Sequence, residues 1–389
     1  MNHLNQLPSE LISSILSYVD KQDLFTCSLV DKSFYKTTLS LLWQELEIDT
    51  QDTLHTMTRI LEASTSSSSA TVLGELVRSV TINARLSDDD LLAFIKLVPL
   101  ITDLSLVKAS QISDDSFVQV PDLVPHVTHL YLCAADITQR SMEAIAHWPL
   151  QQLTLIFCED LESNMFTSLT RCSSTLASLD IRNCSLHGLE TPDTAQQAAA
   201  NLMTLHHLTY FHIYCPSHDY SPFTTALFVD LPSITPWPEL TYLNLSPCHD
   251  VTDSMVIALL QAQPKLTQVG LCDSRITDKT LDAIATYLPE VVKVDVMLSP
   301  DITADGLRRL VKTCRKLTIV YFYSCEIYPC HFPELDDSKM IVDDDYSDDE
   351  SPFQVIALVG GAFDSDVGSD ADTDYDTNAD ADFDANNEQ

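Results

Sequence analysis

The stretch Leu240-Thr241-Tyr242-Leu243-Asn244-Leu245-Ser246-Pro247-Cys248-His249-Asp250-Val251-Thr252-Asp253 decides the architecture, because its frame recurs. It returns from Leu266 (Val269, Leu271, Ile276, Thr277, Asp278), from Val291 (Val294, Val296, Ile302, Thr303) and from Leu317 (Val320, Phe322, Cys325, Ile327), at intervals of 26, 25 and 26 residues. Backwards it continues through Leu208, Leu176, Leu150, Val127, Ile101 and Val77, making ten units. In the pattern apolar-x-x-apolar-x-apolar the last two apolar side chains share one face of a short strand, and the residues between them face the other way. The second half of each unit, such as Leu281, Ile284, Ala285 and Leu288, has the three- and four-residue spacing of an amphipathic helix. One strand-helix unit has no partner for its apolar face. The units must therefore stack into an α/β solenoid, a horseshoe with a parallel sheet on its concave side.

These residues resemble the cysteine-containing subclass of leucine-rich repeats, whose ninth position favours Cys or Asn. Here that position holds Cys158, Cys184, Cys248 and Cys325, with Ser274 and Ser299 in shortened frames and Ala109 and Ala135 elsewhere. Cys172 and Cys314 close helical halves. Repeat geometry thus places six of the eleven cysteines in packed positions, which disfavours thiol catalysis. The odd count, without disulfide spacing, predicts reduced thiols. The solenoid is expected over 77–333, with insertions near 185–205 and 216–238 emerging as surface loops.

Outward strand positions read His129, Tyr131, Thr154, Asp180, Tyr210, His212, Tyr214, Tyr242, Asn244, Asp295, Tyr321 and Tyr323. Tyrosine offers a large contact area with a polar tip at little entropic cost, as protein interfaces require. His129, Tyr131, Tyr210, His212, Tyr214, Tyr242, Asn244, Tyr321 and Tyr323 are the expected contacts to a protein target.

The N-terminal Leu7-Pro8-Ser9-Glu10-Leu11-Ile12 has Pro at a plausible first helical position and Glu in the first turn, and Ile15 and Leu16 continue the helical spacing. A second short helix is expected from Asp23 to Val30, and a third from Asp31 through Phe34, Tyr35, Leu39, Leu42 and Trp43. Three helices this short make a small core and leave apolar surface for a partner. The stretch resembles an F-box at Leu7, Pro8, Glu10, Leu11, Ile15, Leu16, Asp23, Leu24, Ser28, Leu29, Val30, Lys32 and Trp43. It departs at Asp31, where the family often has Cys or Ser, and at Phe34, where it usually has Trp. The resemblance implies docking onto a Skp-type adaptor, and through it a cullin, by Leu7, Pro8, Glu10, Leu11, Ile12, Ile15, Leu16, Leu24, Leu29 and Val30. An F-box followed by leucine-rich repeats is the arrangement of substrate receptors in SCF-type ubiquitin ligases. The implied role is non-catalytic: the F-box (5–48) holds the machinery and the solenoid holds the target. A helical and Ser-rich linker is expected over 49–76.

The chain has 57 acidic and 21 basic residues, a formal net charge of −36. From Glu334 onwards there are 19 acids and one base, Lys339, so half of the charge lies in 334–389. This tail reads as disordered. Within it Ser347, Ser369 and Thr373 have the acid at +3 that acidophilic kinases prefer, and the apolar run Phe353 to Val359 has two open readings, a last strand or a short binding motif. An acidic chain repels phosphate backbones and anionic lipid, so neither nucleic acid nor membrane is an expected partner, whereas basic proteins suit the tail. No apolar run spans a membrane and Met1 to Glu10 lacks signal-peptide features, which predicts a cytoplasmic or nuclear location.

With 7 glycines and no phosphate-cradling loop, zinc-protease helix or nucleophile elbow, no enzyme activity or cofactor is expected. His206, His207, His212, Cys215 and His218 cluster in one repeat and Cys330-His331 follows Cys325, but without a paired Cys-x-x-Cys framework no metal site is expected. The alternative functions are a histone or basic-protein chaperone and a small-GTPase regulator, both of which join leucine-rich repeats to acidic tails. Neither has the Leu-Pro-x-Glu start.

Overall fold

A computed structural model describes residues 9–66, 72–215, 221–234, 236–333, 335, 340–343 and 355–359. Each repeat turns its alternation into a strand. In Ser79–Ile82, Val80 and Ile82 are buried while Ser79 and Thr81 are partly open. Among the described residues eleven parallel strands, most with this in-out pattern, pair in the order Glu45–Ile48, Ser79–Ile82, Asp103–Leu106, His129–Cys133, Gln152–Ile156, Ser178–Arg182, Tyr210–Tyr214, Tyr242–Ser246, Gln268–Gly270, Lys293–Asp295 and Ile319–Tyr321. Register is strict across them: Leu104, Leu130, Leu153, Leu179, Phe211, Leu243, Val269, Val294 and Val320 pair in succession. Their side chains join those of the connecting helices in one continuous core.

Two devices couple neighbouring repeats. The residue before the ninth position takes the left-handed conformation at Ala134, Phe157, Asn183, Asp273, Leu298 and Ser324. Such backbone costs about 1 kcal/mol in a non-glycine residue. The turn directs the N–H of Ala134, Phe157 and Asn183 onto the carbonyls of Ile156, Arg182 and Tyr214 in the next strand, at 2.8, 3.0 and 2.6 Å. The second device is a carboxylate ladder along the helix N-termini. Asp114 accepts from the N–H and hydroxyl of Thr138 (3.0 and 2.6 Å) and of Ser141 (3.2 and 2.5 Å) one repeat on. Asp88 does the same with Ser113, Asp253 with Thr277 and, through the hydroxyl alone, with Thr280, and Asp278 with Thr303.

At the N-terminus, helices α1 (Ser9–Leu16), α2 (Lys21–Ser28) and α3 (Lys32–Gln44) close on Ile12, Leu16 and Leu24. The family departure at Asp31 is explained by its position. It is the N-cap of α3, accepting from the N–H groups of Ser33 and Phe34 at 2.7 and 3.0 Å.

Four segments differ from the sequence expectation. The sheet begins at Glu45–Ile48, inside the stretch assigned to the F-box, and this strand pairs with Ser79–Ile82. The stretch expected as a helical and Ser-rich linker does hold a helix, α4 (Gln51–Ser66), but its Leu54 and Leu61 join the solenoid core, so this part packs as the helix of a first repeat; residues 67–71 of the Ser-rich run lie outside the described residues. The described parts of the insertions are not simply loops. They contain the helices Pro192–Leu202 and Ser221–Ile234, and Phe223 of the latter stacks on Phe166 with ring centroids 5.3 Å apart. In the acidic tail Met340–Asp343 and Val355–Val359 are strands, the second antiparallel to Ile319–Tyr321 and the first paired to the second. Val355–Val359 is thus a closing strand, its backbone donors and acceptors pairing with the edge strand Ile319–Tyr321, while 353 and 354 lie outside the described residues.

Candidate protein-docking surfaces

The F-box-like helices divide the expected adaptor contacts. Ile12, Leu16 and Leu24 are buried and hold the three helices together, so they are not contact surface. Leu11, Ile15, Leu29 and Val30 are exposed. Glu10 lies in α1, and Leu7 and Pro8 fall outside the described residues. Three exposed aromatic residues were missed by the sequence reading: Tyr18, Phe25 and Tyr35. Their helical spacing was the available signal, since Leu11, Ile15 and Tyr18 follow i, i+4, i+7 and Phe25 and Leu29 follow i, i+4.

The second surface is the sheet face away from the connecting helices. Its outward residues form rows across the strands. One row reads Asp103, His129, Gln152, Ser178, Tyr210, Tyr242, Gln268 and Lys293, and the next Ser105, Tyr131, Thr154, Asp180, His212, Asn244, Gly270, Asp295 and Tyr321. Expected contacts His129, Tyr131, Tyr210, His212, Tyr242, Asn244 and Tyr321 lie on these two rows, and Tyr214 sits opposite Arg182 and Ser246 one step on. Tyr323 follows Ile319–Tyr321 and is half-buried.

The centre of this face is tightly arranged. Tyr210 stacks on Tyr242 with ring centroids 4.1 Å apart and planes 14° apart, and His212 stands edge-on at 6.4 Å from Tyr210. Oδ1 of Asp180 lies 3.2 Å from both Nδ1 of His212 and Nε of Arg182. At one end His129 Nδ1 lies 3.0 Å from Asp103, in a groove of about 230 Å³ lined also by Ser79, Ser105, Tyr131 and Gln152. At the other, the Cys272 thiol donates to Asp295 at 3.0 Å. Burial pushes the Asp295 carboxyl up, against the opposing effect of that hydrogen bond. It likewise pushes up the phenols of Tyr210, which also feels Asp180, and Tyr242. Gly270 leaves a gap in the row. An added Cβ would come within 2.5 Å of the Asn244 side chain, which leans over it.

Among the described residues no group of three or more His, Cys, Asp or Glu side chains is placed to hold a metal ion. His206 donates from Nδ1 to the carbonyl of Pro236 at 3.0 Å, away from His212, and His218 is outside the described residues. The ninth-position thiols are packed rather than available: Cys158, Cys184, Cys248 and Cys325 are buried, and burial pushes Cys325 up to about 12. Among the described residues no helix is long and apolar enough to cross a membrane.

Residues 4–49 match the F-box-like family model. No characterised protein sequence matches the chain. Similar solved structures include the Rad7 and Elc1 complex in yeast, at 16% identity and TM-score 0.45 over 82% of this chain and 68% of that one. An internalin (InlF) from Listeria monocytogenes is similar at 16% identity and TM-score 0.42, over 72% and 68% of the two chains. The TLR13–ssRNA13 complex follows at 15% identity and TM-score 0.40, over 64% and 33%. Residues 4–49 thus carry an F-box-like domain by their match to that family model, and they run into the leucine-rich-repeat-like solenoid whose first parallel strand is Glu45–Ile48.

Proposed function

We propose that the protein is a non-catalytic substrate-recognition subunit of an SCF-type ubiquitin ligase, its F-box-like helices docking a Skp-type adaptor and through it a cullin, its open sheet face holding a protein target. The observation that carries this reading is the apolar exposure of the F-box-like helices. Leu11, Ile15, Tyr18, Phe25, Leu29 and Val30 are 51–89% exposed on a domain whose own core has three fully buried apolar side chains. Covering them with a partner is worth roughly 1 kcal/mol or more per side chain before the cost of association. The joining of α3 to the first strand without an intervening loop supports the same reading, since it holds any docked adaptor at a fixed place relative to the sheet. Proximity then supplies the effect, by raising the local concentration of target at the conjugating enzyme.

The test is co-purification with a Skp-type adaptor. Leu7→Ala with Pro8→Ala, and separately Ile15→Asp with Leu29→Asp, are expected to abolish it while the solenoid melts as in wild type. Docking of apolar surface should also survive 0.5 M salt, about a 4–5 Å screening length. A wild-type protein that does not hold the adaptor under mild conditions ends the ligase reading.

A further inference from the structure

We propose that the open face reads a basic, extended, unphosphorylated segment of its target, with a lysine or arginine side chain seated at Asp180 beside the Tyr210–Tyr242 stack. The inference rests on the reading of that face as the target-binding surface and names its substrate class.

Charge complementarity is the first argument. Among outward residues of the eleven parallel strands, Glu45, Glu47, Asp103, Asp180 and Asp295 are acidic against Arg182 and Lys293, a net of −3 with histidines neutral. The two bases lie four strands apart, so no pair of cations converges as recognition of a phosphoryl group requires.

The second argument is an unmet hydrogen bond. Asp180 is 7% exposed, yet its Oδ1 has no hydrogen-bond donor, because the nearby N–H groups of His212 and Arg182 are within ion-pair reach but not aligned with it. Nε of Arg182 is equally without an acceptor. Buried polar groups in folded proteins are normally satisfied, and an exception on an exposed sheet face marks a place prepared for a ligand. An incoming basic side chain supplies an aligned donor for Asp180, displacing the competing Arg182 guanidinium that stands 3.2 Å from it.

The aromatic surroundings suit the same occupant. Lys293 already stands over the ring of Tyr321, its Nζ 4.8 Å from the centroid, so this face makes ammonium-on-tyrosine contacts. The strand spacing also sets a period. Asp103 and Asp180 are three strands apart in the sheet order. With ~4.8 Å per strand and the two-residue offset between their rows, about 7 Å, the carboxylates are about 16 Å apart, against about 13 Å between residues four apart in an extended peptide, a difference that long Lys or Arg side chains span. Basic residues four apart therefore meet both carboxylates.

The full-length protein is titrated by fluorescence anisotropy against three labelled 12-residue peptides in a Gly/Ser background, carrying Lys or Arg at every fourth position, Glu at those positions, or phosphoserine at those positions. The basic peptide alone should bind, and Asp103→Asn with Asp180→Asn should weaken it at least tenfold with the acidic tail intact. Asp103→Asn alone, at a half-buried carboxylate that faces His129 and Thr102, should weaken it about threefold. Arg182→Gln should strengthen it several-fold, a change of sign that a purely structural role would not produce. Unchanged binding in the double variant, which would assign the peptide to the tail, overturns the proposal, as does tighter binding of the Glu or phosphoserine peptide. Adaptor co-purification from the same preparations separates the two readings. Adaptor held without basic-peptide binding overturns this inference alone, whereas peptide bound without adaptor overturns the ligase role and leaves this face a reader of basic segments.

Discussion

Replacing Asp114 by Ala removes one rung of the carboxylate ladder and strands four donors of the next repeat. The two on Ser141, its N–H and hydroxyl, belong to a residue with no solvent exposure. A buried donor left without a partner costs about 1–3 kcal/mol, so this pair alone accounts for about 2–6 kcal/mol. The pair on Thr138 is half-buried and regains water, adding less. A net loss of about 3–4 kcal/mol is expected. Asp278 is the internal control. Its rung ends on the exposed donors of Thr303, and Gly306 stands where the other rungs place a second hydroxyl, so Asp278→Ala should cost about 1 kcal/mol or less.

The pH dependence has a definite sign. Burial pushes the Asp114 carboxyl up, but the hydrogen bonds from Ser141 and Thr138 together outweigh it and hold the group below its ordinary value. A depressed folded pKa gives stability that is present above the unfolded value of ~3.9 and is lost as pH falls through the folded one. Asp253, held down by Thr277 and Thr280 against its burial, adds to the same acid-side loss. Urea unfolding of wild type, Asp114→Ala, Asp114→Asn and Asp278→Ala, followed by circular dichroism at pH 7 and at about pH 2.5, below the unfolded carboxylate value, measures all of this, with midpoints compared only where the slopes agree. Asp114→Asn should flatten the acid-side decline. A midpoint shift for Asp114→Ala no larger than that for Asp278→Ala would refute the ladder as a source of stability.

Three further outcomes are expected. Of the eleven thiols, iodoacetamide should modify exposed Cys330 quickly and half-buried Cys27 slowly in the native protein, with the other nine protected until unfolding; a third thiol reacting at the rate of Cys27 would contradict the packing described. Gly74→Ala should destabilise the start of the solenoid by about 2 kcal/mol, since its Cβ would fall 1.7 Å from the carbonyl oxygen of Leu97, and a melting temperature equal to wild type would show that the backbone yields there. Ile12→Ala should lower the stability of the F-box-like helices by about 2–4 kcal/mol, whereas Ile15→Ala should change it by less than about 0.5 kcal/mol, and hydrogen exchange of α1 amides distinguishes the two.

Local pattern carried much of this architecture. The alternation at Leu243 and Leu245, repeated at Val269 and Leu271, was enough to name inward and outward residues, and Cys158 or Cys184 at the ninth position read as packed for the same reason. Where the pattern was too short it failed: Glu45-Leu46-Glu47-Ile48 alternates over four residues only, and its identity as a strand came from pairing with Ser79–Ile82. The inserted stretches read as loops because their proline and aromatic content broke the period, yet Phe223 and Trp237 are buried, and the burial compensates for the irregular spacing.

The sequence by itself determined the repeat, the face each residue takes and the F-box-like start, because a period of two or of three to four residues is set within a few bonds. Only the tertiary structure decided which residues meet. Asp180 and His212, or Asp114 and Ser141, are 32 and 27 residues apart and become neighbours through the register of adjacent repeats. The closing strand Val355–Val359 found its partner by the same means, in the edge strand Ile319–Tyr321, whose residues lie 36 to 40 positions earlier. Lateral register depends on how whole repeats pack against one another, and no local period encodes it.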